Sequence, residues 1–247
     1  MDSSSLLQYL ITGLTLGSTY GLTALGFTII FNTTGVINFA QGEFVMLGGM
    51  MSVFLVRVLG VTVPLAVPLA ALGTMLTGAL VERLAISPVR GCPSINLVII
   101  TIGVSILIRG LAMLFWGKDT HVLEPFSGDQ PVMVLGAAIM PQAFWVLAIS
   151  VILLTGLKLF FSLTTQGKAM LACSFDPKAA SLVGIGVQRM VMLSFMISAL
   201  IGAVGGSFLV VMGISLLRQI ARGGVAAPGA GAGAEAIKPA NPVLAGV

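Results

Sequence analysis

The chain has 247 residues, 57% of them hydrophobic and 8% charged, with a net charge of +4. A soluble domain carries about 25% charged residues, so a soluble fold is excluded: its interior could not hide this much apolar surface. The positive charge then reads as Lys and Arg kept on the cytoplasmic side of a membrane, not as a nucleic-acid footprint.

The N-terminus has no basic stretch, and its first apolar run is too long for a signal peptide, so a cleavable leader is not expected. Six apolar runs of spanning length are predicted, at 6–31, 36–56, 61–85, 95–116, 142–163 and 190–212. Each is about the 20 residues a membrane helix needs. Lipid offers no hydrogen bonds, so the runs must be helices or broken helices. The fold class is therefore all-α, a polytopic transmembrane bundle in a permease domain covering 1–212.

In the first run Gly13, Gly17 and Gly21 recur every four residues. Such a face of small residues lets helix backbones approach closely. Between the first and second runs lies GVINFAQGEF, residues 35–44. A carboxylate among apolar spans is costly and normally faces protein interior or a water-filled path. Asn38, Gln41 and Glu43 do not share one helical stripe. The stretch reads as a point where one helix ends, the chain turns in irregular backbone and another helix begins. Its polar atoms can satisfy that broken backbone, or give a zwitterion or water something to bond. A plain cytoplasmic turn, with Glu43 favoured by a helix N-terminus, is the alternative.

The third run carries a second small-residue face, Ala70, Thr74 and Gly78, and ends at Glu82 and Arg83, read as a membrane-interface pair. Arg90 follows in the same loop. In the fourth run Arg109 is within snorkelling reach of the span's end, with a substrate carboxylate as the other reading. Trp116 and Trp145 sit where aromatic anchors belong. The loop between them holds Lys118, Asp119, His121, Glu124 and Asp129 without a basic excess. The loop 164–189 holds Lys168, Lys178 and Arg189. Placing both basic loops inside puts the N-terminus in the periplasm and Cys92 and Cys173 on the cytoplasmic side. The two cysteines have no metal or disulfide spacing, and no cofactor or metal is expected.

Within 164–189, Asp176 suits an N-cap, Pro177 the first helical position and Gly184 the residue past the end. Lys178, Ala179 and Ala180 lie between. A helix of about two turns is unstable alone. With the small apolar face of Ala179, Ala180 and Val183, it is predicted to dock in a groove of a partner protein. In the sixth run Ser198, Gly202 and Gly206 form a third small-residue face. Residues 213–247 are rich in Gly, Ala and Pro; the tail is expected to be disordered and to reflect a frame change or truncation. No phosphate-binding loop of the G-x-x-x-x-G-K-[ST] type is present, so the energy source is expected on another chain.

The stretches TLGSTYGLTALGFTIIFNTTGVINFAQGEFVMLGGM, ERLAISPVRG with LVIITIGVSILIRGLAMLFWG, and GKAMLACSFDPKAASLVGIGVQRM together resemble the permeases of branched-chain amino acid ABC transporters. The resemblance runs from about residue 6 to 211. It implies a multi-pass inner-membrane subunit that is not an enzyme. It also implies partners: a second related permease, two cytoplasmic ATP-binding subunits and a periplasmic substrate-binding protein. On this resemblance Asn38, Gln41 and Glu43 belong to the transport path, and the helix around Asp176–Gly184 couples to the ATPases. A permease for urea or short amides, or a non-transporting truncated subunit, are the alternatives.

Overall fold

Apolar chain in lipid must bond its polar groups to itself, and the first helix shows how. A computed structural model describes residues 3–89, 94–117, 132–134, 137–139 and 141–221. In α1 (Ser3–Thr34) the hydroxyls of Thr15, Ser18, Thr23, Thr28 and Thr33 each donate to the carbonyl four residues back. The helix thus bonds these hydroxyls to its own backbone instead of to water. The other helices are α2 (Gln41–Arg57), α3 (Val63–Val81), α4 (Ser94–Trp116), α5 (Pro141–Leu163), α6 (Thr165–Phe175), α7 (Pro177–Leu182) and α8 (Val187–Ala221). A π-helical turn, Glu82–Ile86, and a 3₁₀ turn, Ser87–Val89, follow α3. The described residues thus form a helical membrane bundle, in which five helices are long and apolar enough to cross a bilayer.

The second predicted span is the exception. Its run begins at residue 36, but α2 begins at Gln41 and has 17 residues. The polar stretch before it is not helical, so the crossing combines an irregular turn with a short helix. Three further expectations need correction. The last helix does not stop at 212: residues 213–221 continue α8, because after the single Gly213 the stretch ISLLRQIA is mostly good helix formers and the run of glycine and alanine begins only at 223. The loop 164–189 holds two helices, not one. The loop after α4 contains two three-residue strands, β1 (Val132–Val134) and β2 (Ala137–Ile139), paired antiparallel with Val132 opposite Ile139. Arg90, Cys92, the loop charges from Lys118 to Asp129 and the tail from 222 lie outside the described residues.

The core sits around α8, which packs against α1, α2 and α3, whereas α4 and α5 leave most of their apolar surface outward. Alongside α8, α2 runs in the same direction at very close range. A Cβ on Gly48 would strike the Ala203 backbone, and one on Gly206 would strike the Val45 carbonyl. The hydroxyls of Ser52 and Ser207 meet at 2.7 Å in the seam. On α3, Ala70 and Thr74 are buried and Gly78 abuts the Phe195 carbonyl of α8. Gly202 likewise sits under Gln41 and Val45. The first stripe behaves differently: a Cβ on Gly13, Gly17 or Gly21 would meet nothing within 4 Å. These glycines line an open cleft of about 470 Å³ with Ser150 and Leu154 of α5, so within this chain they bring no helix into contact.

Candidate functional site

The turn between α1 and α2 is built from its own residues. Gly35 takes φ +67°, a left-handed conformation that closes α1, and its N–H donates to the Phe31 carbonyl at 2.8 Å. Asn38 Oδ1 then accepts from the Ala40 N–H at 3.1 Å, and the Asn38 carbonyl receives the Gln41 N–H at 3.4 Å. The Phe39 N–H donates to Thr101 Oγ1 of α4 at 3.3 Å. Irregular backbone inside the bundle is thereby bonded to side chains instead of water. Beside it lies a cavity of about 20 Å³ lined by Thr34, Asn38 and Thr101, enough for one water. Asn38 Nδ2, buried and without a partner among the described residues, faces that need.

Gln41 and Glu43 leave the turn in different directions. Gln41 reaches α8: its Oε1 lies 2.6 Å from the Ser198 hydroxyl, which also lies 2.7 Å from the Gly26 carbonyl. Helices α1, α2 and α8 are thus tied at one point. Glu43 reaches α4, where its Oε1 accepts from Ser105 Oγ at 2.9 Å and from Arg109 at 2.6 Å. Ser105 is the middle residue of α4, roughly 17 Å from either end at 1.5 Å per residue. The first turn of α2 therefore meets the centre of α4.

Arg109 corrects an expectation. It does not snorkel away from the bundle but forms an ion pair with Glu43, whose side chain is 5% exposed against 59% for Arg109. The carboxylate is held inside while the guanidinium stays open on the outer face of α4. Sequence spacing placed no partner within reach of Arg109, because the two residues are 66 apart in the chain. Glu82 and Arg83 also part: Glu82 turns into the bundle at 1% exposure, and Arg83 faces out.

At the other predicted site, Thr164 caps α6, its Oγ1 accepting from the Gly167 N–H at 3.0 Å. Asp176 caps α7, its Oδ1 accepting from the N–H groups of Lys178 at 2.8 Å and Ala179 at 3.1 Å, with Pro177 at the first position. Gly184, at φ +89°, ends it. The Ile185 N–H bonds the Ala180 carbonyl and the Gly184 N–H bonds the Ser181 carbonyl, the paired closure known as a Schellman motif. Of the predicted face, Ala179 and Val183 are exposed and Ala180 is not. Ala180 is buried against Met170, Cys173 and Met190 of the chain's own core, and Phe175, Leu182 and Val183 stand more than 80% exposed. From sequence alone either side of so short a helix could have faced the bundle.

Cys173 is fully buried, and burial pushes its thiol above the ordinary value. A covered, protonated thiol is a poor nucleophile. A membrane-impermeant maleimide will therefore leave Cys173 unlabelled from either side, so it cannot report orientation. Leu182→Cys in a Cys92→Ser background supplies an exposed probe. Given the predicted topology, it labels in inverted vesicles and not in intact cells; the reverse pattern places α7 outside.

Against known families, residues 9–223 match the model described as branched-chain amino acid transport system, permease component. The match therefore extends past 211, where the resemblance read from motifs stopped. The chain is 33% identical over 217 residues to the high-affinity branched-chain amino acid transport system permease protein LivH of Salmonella typhimurium, covering 82% of this chain and 70% of that protein. It is 31% identical over 215 residues to BraD of Pseudomonas aeruginosa, with the same two coverages. It is 28% identical over 197 residues to a probable LivH of Methanocaldococcus jannaschii, covering 76% and 61%. No solved structure matches.

Proposed function

Because this chain belongs to the branched-chain amino acid transport permease family, we propose that it is the membrane-spanning permease subunit of an ABC importer for branched-chain or related small amino acids. Relatives named as permeases and five apolar helices make it a multi-pass inner-membrane protein. In the proposed assembly it pairs with a second permease and works with two cytoplasmic ATPases and a periplasmic binding protein.

The observation that carries the reading is the ion pair at the centre of α4. A guanidinium more than half exposed at mid-helix is costly against hydrocarbon. The face of α4 bearing Arg109 is therefore covered by protein or water in the working state, as a path between two permeases requires. The turn at residues 35–40 places Glu43 behind that face, where it fixes Arg109, while Asn38 bonds the turn's own backbone and Gln41 ties α2 to α8. On the proposed orientation α7 points into the cytoplasm, where Phe175, Leu182 and Val183 seat in an ATPase groove. A rigidly capped helix then transmits the ATPase stroke into α8 and α6.

The test is ATP hydrolysis in proteoliposomes containing this chain, its partner subunits and the binding protein. Leucine-loaded binding protein should raise hydrolysis severalfold over unloaded binding protein. Asp176→Ala removes the cap, costing about 1 kcal/mol of local helix stability, and should weaken that stimulation while leaving insertion intact. Equal stimulation by the variant removes α7 from the coupling; no stimulation in the parent removes the import role itself.

A further inference from the structure

Ser198 of α8 has one proton to give and two acceptors beside it. Its Oγ lies 2.7 Å from the Gly26 carbonyl of α1 and 2.6 Å from the side-chain amide of Gln41 on α2. Ser198 and Gln41 are both buried, so neither is open to water. A hydroxyl donates once and accepts twice, so it cannot bond fully to the Gly26 carbonyl and the Gln41 oxygen together. Each choice completes a different pair of bonds. With the amide N–H turned to the hydroxyl, the amide donates to Oγ and Oγ donates to Gly26, a chain from α2 through α8 to α1. With the amide oxygen turned to the hydroxyl, Oγ donates to Gln41 and Gln41 Nε2 donates to the Ser198 carbonyl at 3.4 Å. That closed pair joins α2 and α8 and leaves α1 out. The two arrangements hold the same number of bonds and differ by turning one hydroxyl and one amide. The amide sits where the neighbouring helices have glycine: a Cβ on Gly26 would strike Gln41 Nε2, and one on Gly202 would lie 3.0 Å from it.

We infer that Ser198 and Gln41 form a swivel on which α1 parts from α8 during the transport cycle. With α1 docked, the chain of bonds reaches Gly26. A parting of about 1 Å at Gly26 carries that 2.7 Å contact past bonding range, and Gln41 then takes up the freed proton in the closed pair. No buried hydroxyl is orphaned, which is the cost that would otherwise hold such a contact shut. The packing marks α1 as the moving part. Backbone locks α8 to α2 at Gly48 and Gly206, whereas toward α1 a Cβ on Gly205 would meet the Thr19 carbonyl at an ordinary 3.5 Å. On its other side α1 has room, the cleft of about 470 Å³ between Gly13, Gly17 and Gly21 and the α5 residues Ser150 and Leu154. A smooth glycine face suits a helix that closes against a neighbour. In the parted state the half of α1 before Gly26 leans on α5 and the cleft is shut. The inference rests on the transport reading above, which requires the bundle to alternate between two arrangements.

The parted state is read by disulfide formation between Gly17→Cys and Leu154→Cys, which line the cleft from α1 and α5. A Cβ at Gly17 meets nothing within 4 Å, so the probe itself disturbs nothing. The full chain, in a Cys92→Ser background, is oxidised with copper phenanthroline in nanodiscs. Ser198→Ala deletes the bond that holds α1 to α8 and should speed the disulfide about fivefold, the weight of one hydrogen bond. Gln41→Met keeps the length of the side chain but cannot take up the proton, so parting orphans the hydroxyl. It should slow the disulfide by about as much. A merely structural role would move both variants the same way. Gly26→Ala works from the other side: its methyl strikes Gln41 and should also speed the disulfide, and it decides alone if either polar variant aggregates. Changes of one sign in Ser198→Ala and Gln41→Met, a slower disulfide in Gly26→Ala, or no disulfide in any chain overturns the swivel. The measurement needs no substrate, ATPase or binding protein. Opposed rates without reconstituted uptake therefore sink the transport reading alone, and uptake without opposed rates sinks the swivel alone.

Discussion

Arg109→Ala, assayed for leucine uptake with the partner subunits present, is expected to leave less than about a tenth of the parent rate, with Glu43→Ala behaving alike. Stripping a buried carboxylate of its charged partner costs roughly 2–5 kcal/mol. The low end applies here because the guanidinium half of the pair is 59% exposed and partly hydrated. About 2 kcal/mol exceeds the 1.4 kcal/mol that corresponds to a tenfold change. Structure and transport are separated by the double variant Glu43→Gln/Arg109→Gln, which removes both charges and keeps hydrogen-bonding groups. Its detergent melting temperature should recover toward the parent while uptake stays low. If uptake recovers as well, the pair holds α2 to α4 and does nothing for the substrate. If the single variants transport normally, the α4 face is not the path.

Gly206→Ala should be the most damaging added methyl among the described glycines. The new Cβ would land on the Val45 carbonyl, which is helix backbone and cannot rotate aside. Overpacking costs typically 1–3 kcal/mol, and about 3 is expected where backbone opposes backbone. The protein should lose its monodisperse peak on size exclusion in mild detergent. Gly13→Ala is the control. It adds the same methyl where nothing lies within 4 Å, and alanine is the better helix former by about 1 kcal/mol, so it should be neutral or stabilising. A monodisperse Gly206→Ala with an unchanged melting temperature would mean that α2 and α8 are farther apart than described.

Much of this architecture was legible because lipid simplifies the sequence code. Five of the six runs lie in long helices, α8 running well past its predicted end, since an apolar run in hydrocarbon has little choice. The break after α1 was legible too: Gly35 and the polar residues behind it have few other uses inside a span. The caps of α7 followed from Asp176, Pro177 and Gly184, whose roles are local. What the sequence hid was long-range. The pairing of Glu43 with Arg109, and the meeting of Gln41 with Ser198, depend on which helices become neighbours. Three stripes of small residues looked equivalent, yet those on α3 and α8 meet backbone while that on α1 lines an open cleft. Spacing reveals that a face is smooth; it does not reveal whether anything lies against it.

The seam between α2 and α8 has a consequence for how the protein is made. Gln41 bonds Ser198, 157 residues later, and Ser52 bonds Ser207, 155 residues later. At synthesis rates of about 5–20 residues per second, the early half of each pair waits roughly 10–30 s for the other. Through that interval α2 is a 17-residue helix with a buried-type carboxylate at its start and an irregular, polar turn behind it. It cannot be released alone into lipid as a finished span. The insertion machinery must hold α1 and α2 at its lateral gate, or shelter them, until α8 emerges. Biogenesis of this membrane protein is therefore governed by the arrival of α8, and a ribosome stalled before residue 198 would leave a chain that is threaded but not assembled.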